Sequence, residues 1–168
     1  MDGTRNAADR RRLLRIYLND HLMGAVGGAE LARRCLNSNR GTPLGTFLEQ
    51  LHREIVEDRA TLKDLMTRME FPADRIKVTA AALAEKAARL KLNGRLLGYS
   101  DLSRLIELEG LCAGVALKLR LWRVLKDIAV GTDPRLAATD FDPLIERATA
   151  QLDGLEQHRL EAARRAFT

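Results

Sequence analysis

The chain has 168 residues and a formal net charge of +5, from 28 Lys and Arg against 23 Asp and Glu. Aromatic residues, which strands favour, make up only 4%, so the composition favours an all-α fold over a β or mixed one. The length suits a single domain over 1–168 with a substantial core. The apolar run from Leu13 is interrupted by Asn19 and Asp20 before it reaches the length of a membrane span, and no signal peptide is recognisable, which indicates a cytoplasmic protein.

Polar clusters and prolines divide the first part of the chain into two long helices. Residues 1–6 are predicted to be disordered, and the first helix is predicted to run from there to about residue 36. Thr42 is expected to cap the second helix, with Pro43 in its first turn, and this helix is expected to end near residue 70. Because the loop 37–41 is short, the two helices should lie antiparallel.

Residues 71–99 are predicted to form a crossover that carries a short extra helix of its own, at about 79–92. This part of the sequence is rich in alanine and has a high helix propensity. The stretch from 100 to 128 follows, with no proline and with apolar residues at steps of three and four. It is predicted to be a third long helix capped by Ser100 or Asp101.

The remainder of the chain predicts a loop and a fourth long helix. The loop covers residues 131–139, and Asp142-Pro143 opens a helix that continues to about residue 167. The first and last connections are therefore short, and the connection between the second and third helices is long. This pattern predicts an antiparallel four-helix bundle.

Four polar residues fall on or near the apolar faces when each helix is drawn at 100° per residue. They are His21, Asp58, Glu109 and His158, one from each long helix, whereas Glu107 is expected to point away. Antiparallel packing would bring His21 and Asp58 to one level, since both are equally far from the first loop. Two imidazoles and two carboxylates suit zinc or iron. They also suit interhelical hydrogen bonds that fix the register of the helices, and we favour this structural interpretation.

The order and connection of the helices resemble the ferritin-like superfamily, whose di-iron members carry a glutamate on each of two helices and Glu-x-x-His on each of the others. One such motif is present on the second helix, where Glu49 and His52 form a reserve pair of metal ligands. The resemblance implies a bundle fold, with iron or zinc as the alternative to a protein without a cofactor. The di-iron set is incomplete, because Glu30, the only glutamate on the first helix, faces away from the core.

Four short stretches are also similar to a group of uncharacterised bacterial helical proteins. These stretches are Tyr17–Leu22 (YLNDHL), Gly28–Arg34 (GAELARR), Glu57–Leu62 (EDRATL) and Leu92–Leu97 (LNGRLL). This resemblance implies a bacterial origin and no particular activity.

Positive charge is concentrated in residues 86–126, which hold nine lysines and arginines against Asp101, Glu107 and Glu109. A set of lysines and arginines there suits an anionic partner, such as nucleic acid or an anionic surface, although a solvated face is favoured. The set consists of Lys86, Arg89, Lys91, Arg95, Lys118, Arg120 and Lys126.

The sequence contains no glycine-rich phosphate loop and no nucleophile elbow. The pair Gly27-Gly28 lies inside the first helix and is predicted to permit a close helix contact. The leading hypothesis is therefore a non-enzymatic structural or interaction protein that forms a homo-oligomer. The alternatives are a metal-binding ferritin-like protein that uses the inward His and carboxylate residues and, more weakly, an adaptor for an anionic partner through the basic set.

Overall fold

The computed structural model describes residues 2–73, 99–129 and 131–168 of the chain. All regular secondary structure in these ranges is helical, so the all-α prediction is confirmed for them. The predicted crossover helix at 79–92 lies outside the described residues. The helices are α1 (Asp2–Ser38), α2 (Pro43–Arg68), α3 (Asp101–Ile128), α4 (Pro134–Ala137) and α5 (Asp142–Phe167).

The helix boundaries follow local capping chemistry. The Thr42 side chain accepts a hydrogen bond from the Gly45 amide at 3.0 Å, and the Ser100 hydroxyl accepts one from the Ser103 amide at 3.1 Å. These are the N-caps that the sequence predicted for α2 and α3. The structure begins α1 at Asp2, within the segment for which disorder is predicted.

The short helix α4 occupies part of the region that was predicted to be a loop. The Asp133 side chain accepts a hydrogen bond from the Arg135 amide at 2.9 Å, and Pro134 fills the first helical position. An aspartate followed by proline is a helix start signal, and here it opens a single turn. Leu136 of this turn is completely buried, so the turn covers one end of the core.

The core is built by packing between pairs of long helices. α1 packs along α2, α3 packs along α5, and α1 also packs against α3, while α2 meets α5 less extensively. Each long helix contributes leucines to this interior, and Trp122 of α3 is only 1% exposed. Leucines with no exposed surface include Leu18, Leu48, Leu108, Leu125 and Leu155. None of the helices in the described ranges is long and apolar enough to cross a membrane.

The Arg11 side chain of α1 contacts the segment that follows α2. Its guanidinium donates a hydrogen bond to the Met69 carbonyl at 2.5 Å and lies over the Phe71 ring, 4.6 Å from the ring centroid. The same guanidinium lies 3.5 Å from the Asp133 carboxylate in the loop after α3. One side chain near the start of α1 therefore joins two loops at this end of the molecule.

Candidate functional site

A buried network of charged and amide groups connects α2, α3 and α5. Its centre is Asp58, which is 2% exposed. The Lys118 ammonium donates to one Asp58 oxygen at 2.5 Å, and the Arg147 guanidinium donates to the other. We call this network the Asp58 cluster; its members are Asp58, Lys118, Arg147, Gln151, Glu54 and Glu57.

The other members of the Asp58 cluster provide further hydrogen-bond partners for Lys118 and Arg147. The Gln151 side-chain oxygen accepts a second hydrogen bond from Lys118 at 2.5 Å, and its amide donates to Glu54 at 2.6 Å. Arg147 also donates to Glu57 at 3.1 Å. Burial lowers the pKa of Lys118, and the nearby Asp58 charge opposes this effect. The cluster therefore brings three carboxylates and two cations into one network that joins three helices.

Asp58 points into the interior, as the sequence predicted, but its partners are cations rather than His21. In the described part of the chain no hydrogen bond joins His21 to Asp58. His21 is half-buried and stands edge-on to the Tyr17 ring, with a centroid separation of 4.6 Å. Burial lowers the pKa of His21, while the adjacent Asp20 works in the opposite direction. Burial therefore favours the uncharged form of this imidazole.

Among the described residues no hydrogen bond joins Glu109 to His158, two further members of the expected inward set. Glu109 is exposed, with 52% of its side chain accessible, and lies 3.7 Å from the Arg159 guanidinium. The expectation that it points inward is therefore wrong. His158 is half-buried against the Phe47 ring, 4.9 Å away between centroids.

The reserve pair of metal ligands lies nearer the surface. Glu49 is exposed and lies 3.9 Å from Arg53, and His52 is half-buried. Across residues 2–73, 99–129 and 131–168, no three His, Cys, Asp or Glu side chains are close enough to share a metal ion. Zinc or iron binding by His21, Asp58, Glu109 and His158 stays a prediction.

Glu107 points inward, contrary to expectation, and is the centre of a second polar network. It is 8% exposed and accepts a hydrogen bond from the Tyr99 hydroxyl at 3.0 Å. The Arg34 guanidinium of α1 lies 2.9 Å from its other oxygen. Asn39 donates to the Tyr99 hydroxyl at 3.1 Å, and Cys35 lies beside it at 3.8 Å. This network ties the start of α3 to the end of α1.

The members of the basic set do not form one free surface among the described residues. Lys118 is half-buried in the Asp58 cluster, so its predicted surface role is wrong. Lys126 pairs with Asp142, whereas Arg120 is exposed. Lys86, Arg89, Lys91 and Arg95 lie outside the described residues.

A cavity of about 290 Å³ lies between α1, α2 and α3, and we call it the α1–α3 cavity. Most of its wall is apolar, formed by Ala25, Ile55, Leu62, Leu111, Val115, Leu121 and Trp122. Its polar wall residues are Asp20, His21, Asp58, Arg59 and Lys118. Four glycines, Gly24, Gly28, Gly110 and Gly114, complete the lining, together with Leu117, which is 54% exposed and marks the opening. A pocket of this size and composition is typical of sites for small apolar molecules.

Three of the cavity glycines have open space where a side chain would be. A Cβ atom built on Gly24, Gly28 or Gly114 meets no atom of residues 2–73, 99–129 or 131–168 within 4 Å. The prediction that Gly28 permits a close helix contact is therefore wrong. Gly45 differs, because a Cβ there would lie 2.2 Å from the Asn39 carbonyl oxygen in the loop before α2. The sequence alone does not distinguish these two kinds of helical glycine.

Comparison of this chain with family models, with curated proteins and with solved structures finds no match. The site is therefore interpreted from its own geometry and chemistry.

Proposed function

We propose that this protein is a non-enzymatic helical bundle that acts by binding, and that the α1–α3 cavity holds a small apolar molecule. Within the proposal the four long helices form an antiparallel bundle. The packing of α1 with α2, of α3 with α5, and of α1 with α3 supports this arrangement. So does the contact of Arg11, near the start of α1, with Met69, just after the end of α2.

The observation that carries the proposal is the open space around Gly24, Gly28 and Gly114. A glycine inside a helix costs about 0.5–1 kcal/mol of stability relative to alanine. A close backbone contact would explain that cost, but the described part of the chain makes no such contact at these three positions. All three line the same cavity, so their common effect is to keep its volume free.

Two of the charged groups in the cavity wall, Asp58 and Lys118, are engaged in hydrogen bonds. Asp58 accepts from two cations, and Lys118 donates to Asp58 and Gln151. A general base or a nucleophile needs an available lone pair near its target. The Asp58 oxygens already accept from Lys118 and Arg147, and Lys118 already donates to Asp58 and Gln151. Neither residue is therefore a ready base or nucleophile.

Trp122 provides the test, because it is the only tryptophan of the chain and it lines the cavity. We expect 1-octanol to cause a saturable change in tryptophan emission and to raise the melting temperature, since a ligand that binds only the folded state stabilises it. Gly28→Leu should fill the cavity, abolish this response and leave the variant folded. Ala150→Leu is the matched control, because Ala150 is an exposed residue of α5, which does not line the cavity.

Two results would overturn the proposal. One is the absence of any saturable response to 1-octanol up to its solubility limit. The other is a Gly28→Leu variant that binds 1-octanol as well as the parent does. An unchanged response in Ala150→Leu, together with its loss in Gly28→Leu, would support the cavity as the site.

A further inference from the structure

We infer that the ligand of the α1–α3 cavity is an uncharged molecule with an apolar body and at most one hydroxyl or carbonyl group. This inference rests on the proposed function and specifies the class of its ligand. Three features of the wall carry it: the balance of its charges, the position of His21 and the volume of the cavity.

The charged side chains of the cavity wall balance one another. Asp20 and Asp58 are acidic, whereas Arg59 and Lys118 are basic. Asp58 and Lys118 are in direct contact, with 2.5 Å between the carboxylate oxygen and the ammonium nitrogen. A charged ligand in an apolar site is costly unless it finds a group of opposite charge. Asp58 and Lys118 cannot serve as that group, because they already neutralise each other.

Asp20 and Arg59 are the remaining charges, and they have opposite signs. Asp20 is exposed on α1 and Arg59 is half-buried on α2. Neither forms an ion pair with another described residue. An anionic ligand would be attracted by Arg59 and repelled by Asp20. A cationic ligand would be attracted by Asp20 and repelled by Arg59, so the wall favours neither kind of charged ligand.

His21 supplies the polar contact that a neutral ligand can use. Its half-buried imidazole lies in the cavity wall, edge-on to the Tyr17 ring. A neutral imidazole offers one hydrogen-bond donor and one acceptor. The side chains around it are Tyr17 and Asp20 on its own helix, together with Asp58 and Arg59 of α2 and Lys118 of α3 across the cavity. A single hydroxyl or carbonyl group on the ligand would suit it.

The volume sets the size of the apolar body. An apolar protein cavity of about 150 Å³ binds benzene. The α1–α3 cavity, at about 290 Å³, is roughly twice as large. It therefore suits two fused rings or a chain of about ten carbon atoms.

The test compares three probes with the same eight-carbon body: 1-octanol, octanoate and octylamine, at pH 7.5. Tryptophan emission and melting temperature report binding to the full chain. We expect 1-octanol to bind at least about tenfold more tightly than either charged probe. Equal or tighter binding of octanoate or octylamine would overturn the inference and leave the proposed function standing. Failure of all three probes to bind would overturn both.

Two variants test the role of the wall charges directly at low ionic strength. Asp20→Asn removes a negative charge and should increase the affinity for octanoate about threefold relative to that for 1-octanol. Arg59→Gln removes a positive charge and should increase the affinity for octylamine about threefold relative to that for 1-octanol. Both positions are incompletely buried, so both variants should fold. Unchanged relative affinities in both variants would show that the wall charges do not set selectivity and would overturn the inference.

Discussion

The two sides of α3 are packed in different ways. Towards α2 and α5, Lys118 joins the Asp58 cluster, where each hydrogen bond satisfies a group that would otherwise be buried alone. Towards α1, glycines leave a cavity, and the wall is mainly apolar. One side is therefore rigid and sensitive to loss of a polar partner, whereas the other is under-packed and tolerates added volume. A function that needs space belongs on the second side, since the first side already holds the helices together.

The largest effect is expected from Asp58→Ala in the Asp58 cluster. This change leaves Lys118 and Arg147 without their shared carboxylate, and removing one partner of a buried ion pair costs about 3–5 kcal/mol. Chemical denaturation should show that loss in the free energy of unfolding. Glu49→Ala is the control, because Glu49 is exposed and should change stability by less than about 0.5 kcal/mol. A similar effect of the two substitutions would contradict the distinction between the two sides.

Glycine to alanine substitutions should change the free energy of unfolding in opposite directions at Gly45, which has a close neighbour, and at Gly28, which faces the cavity. Gly45→Ala places a Cβ 2.2 Å from the Asn39 carbonyl oxygen, which must destabilise the fold, by about 1–3 kcal/mol. Gly28→Ala meets no neighbour among the described residues and should raise the free energy of unfolding by about 0.5–1 kcal/mol through helix propensity. Thermal and chemical unfolding of the two variants measure whether each substitution stabilises or destabilises the protein. A destabilised Gly28→Ala would mean that the space beside α1 is occupied.

The smallest effect is expected from the titration of His21. Burial lowers its pKa below the ordinary value of 6.5, so the unfolded chain binds more protons at this residue than the folded chain. Its contribution to stability is complete above pH 6.5 and is lost as the pH falls through the folded pKa. The melting temperature of the parent should therefore fall more between pH 8 and pH 5 than that of His21→Gln. Parallel pH profiles would count against a buried neutral imidazole.

The long helices could be predicted because their signals are local. Thr42 and Ser100 cap the helices that follow them, and the spacing of leucines sets the buried face of α3. The orientation of Glu107 and Glu109 could not be predicted in the same way. α3 packs against both α1 and α5, so its buried arc is wider than one apolar stripe and includes Glu107. A wheel that assumes a single face places the wrong glutamate inside.

The candidate site was less predictable than the fold. Asp58 was expected to be buried, but its cationic partners come from helices distant in the chain, and Lys118 reads as a surface residue in the sequence. The cavity leaves no sequence signal of its own, because Gly28 and Gly45 look alike until the neighbouring helices are in place. Such a feature depends on the distance between helices, which local patterns do not encode.

The surroundings of Cys35 also determine how this protein reacts with thiol reagents. Burial, and then the charge of Glu107, raise the pKa of Cys35 to about 12, so at pH 7 roughly one molecule in 100,000 carries a thiolate there. Cys112, the other cysteine of the chain, is only half-buried on α3. A maleimide or iodoacetamide dye should therefore modify Cys112 first, which gives the unaltered chain a single attachment point for distance measurements from α3.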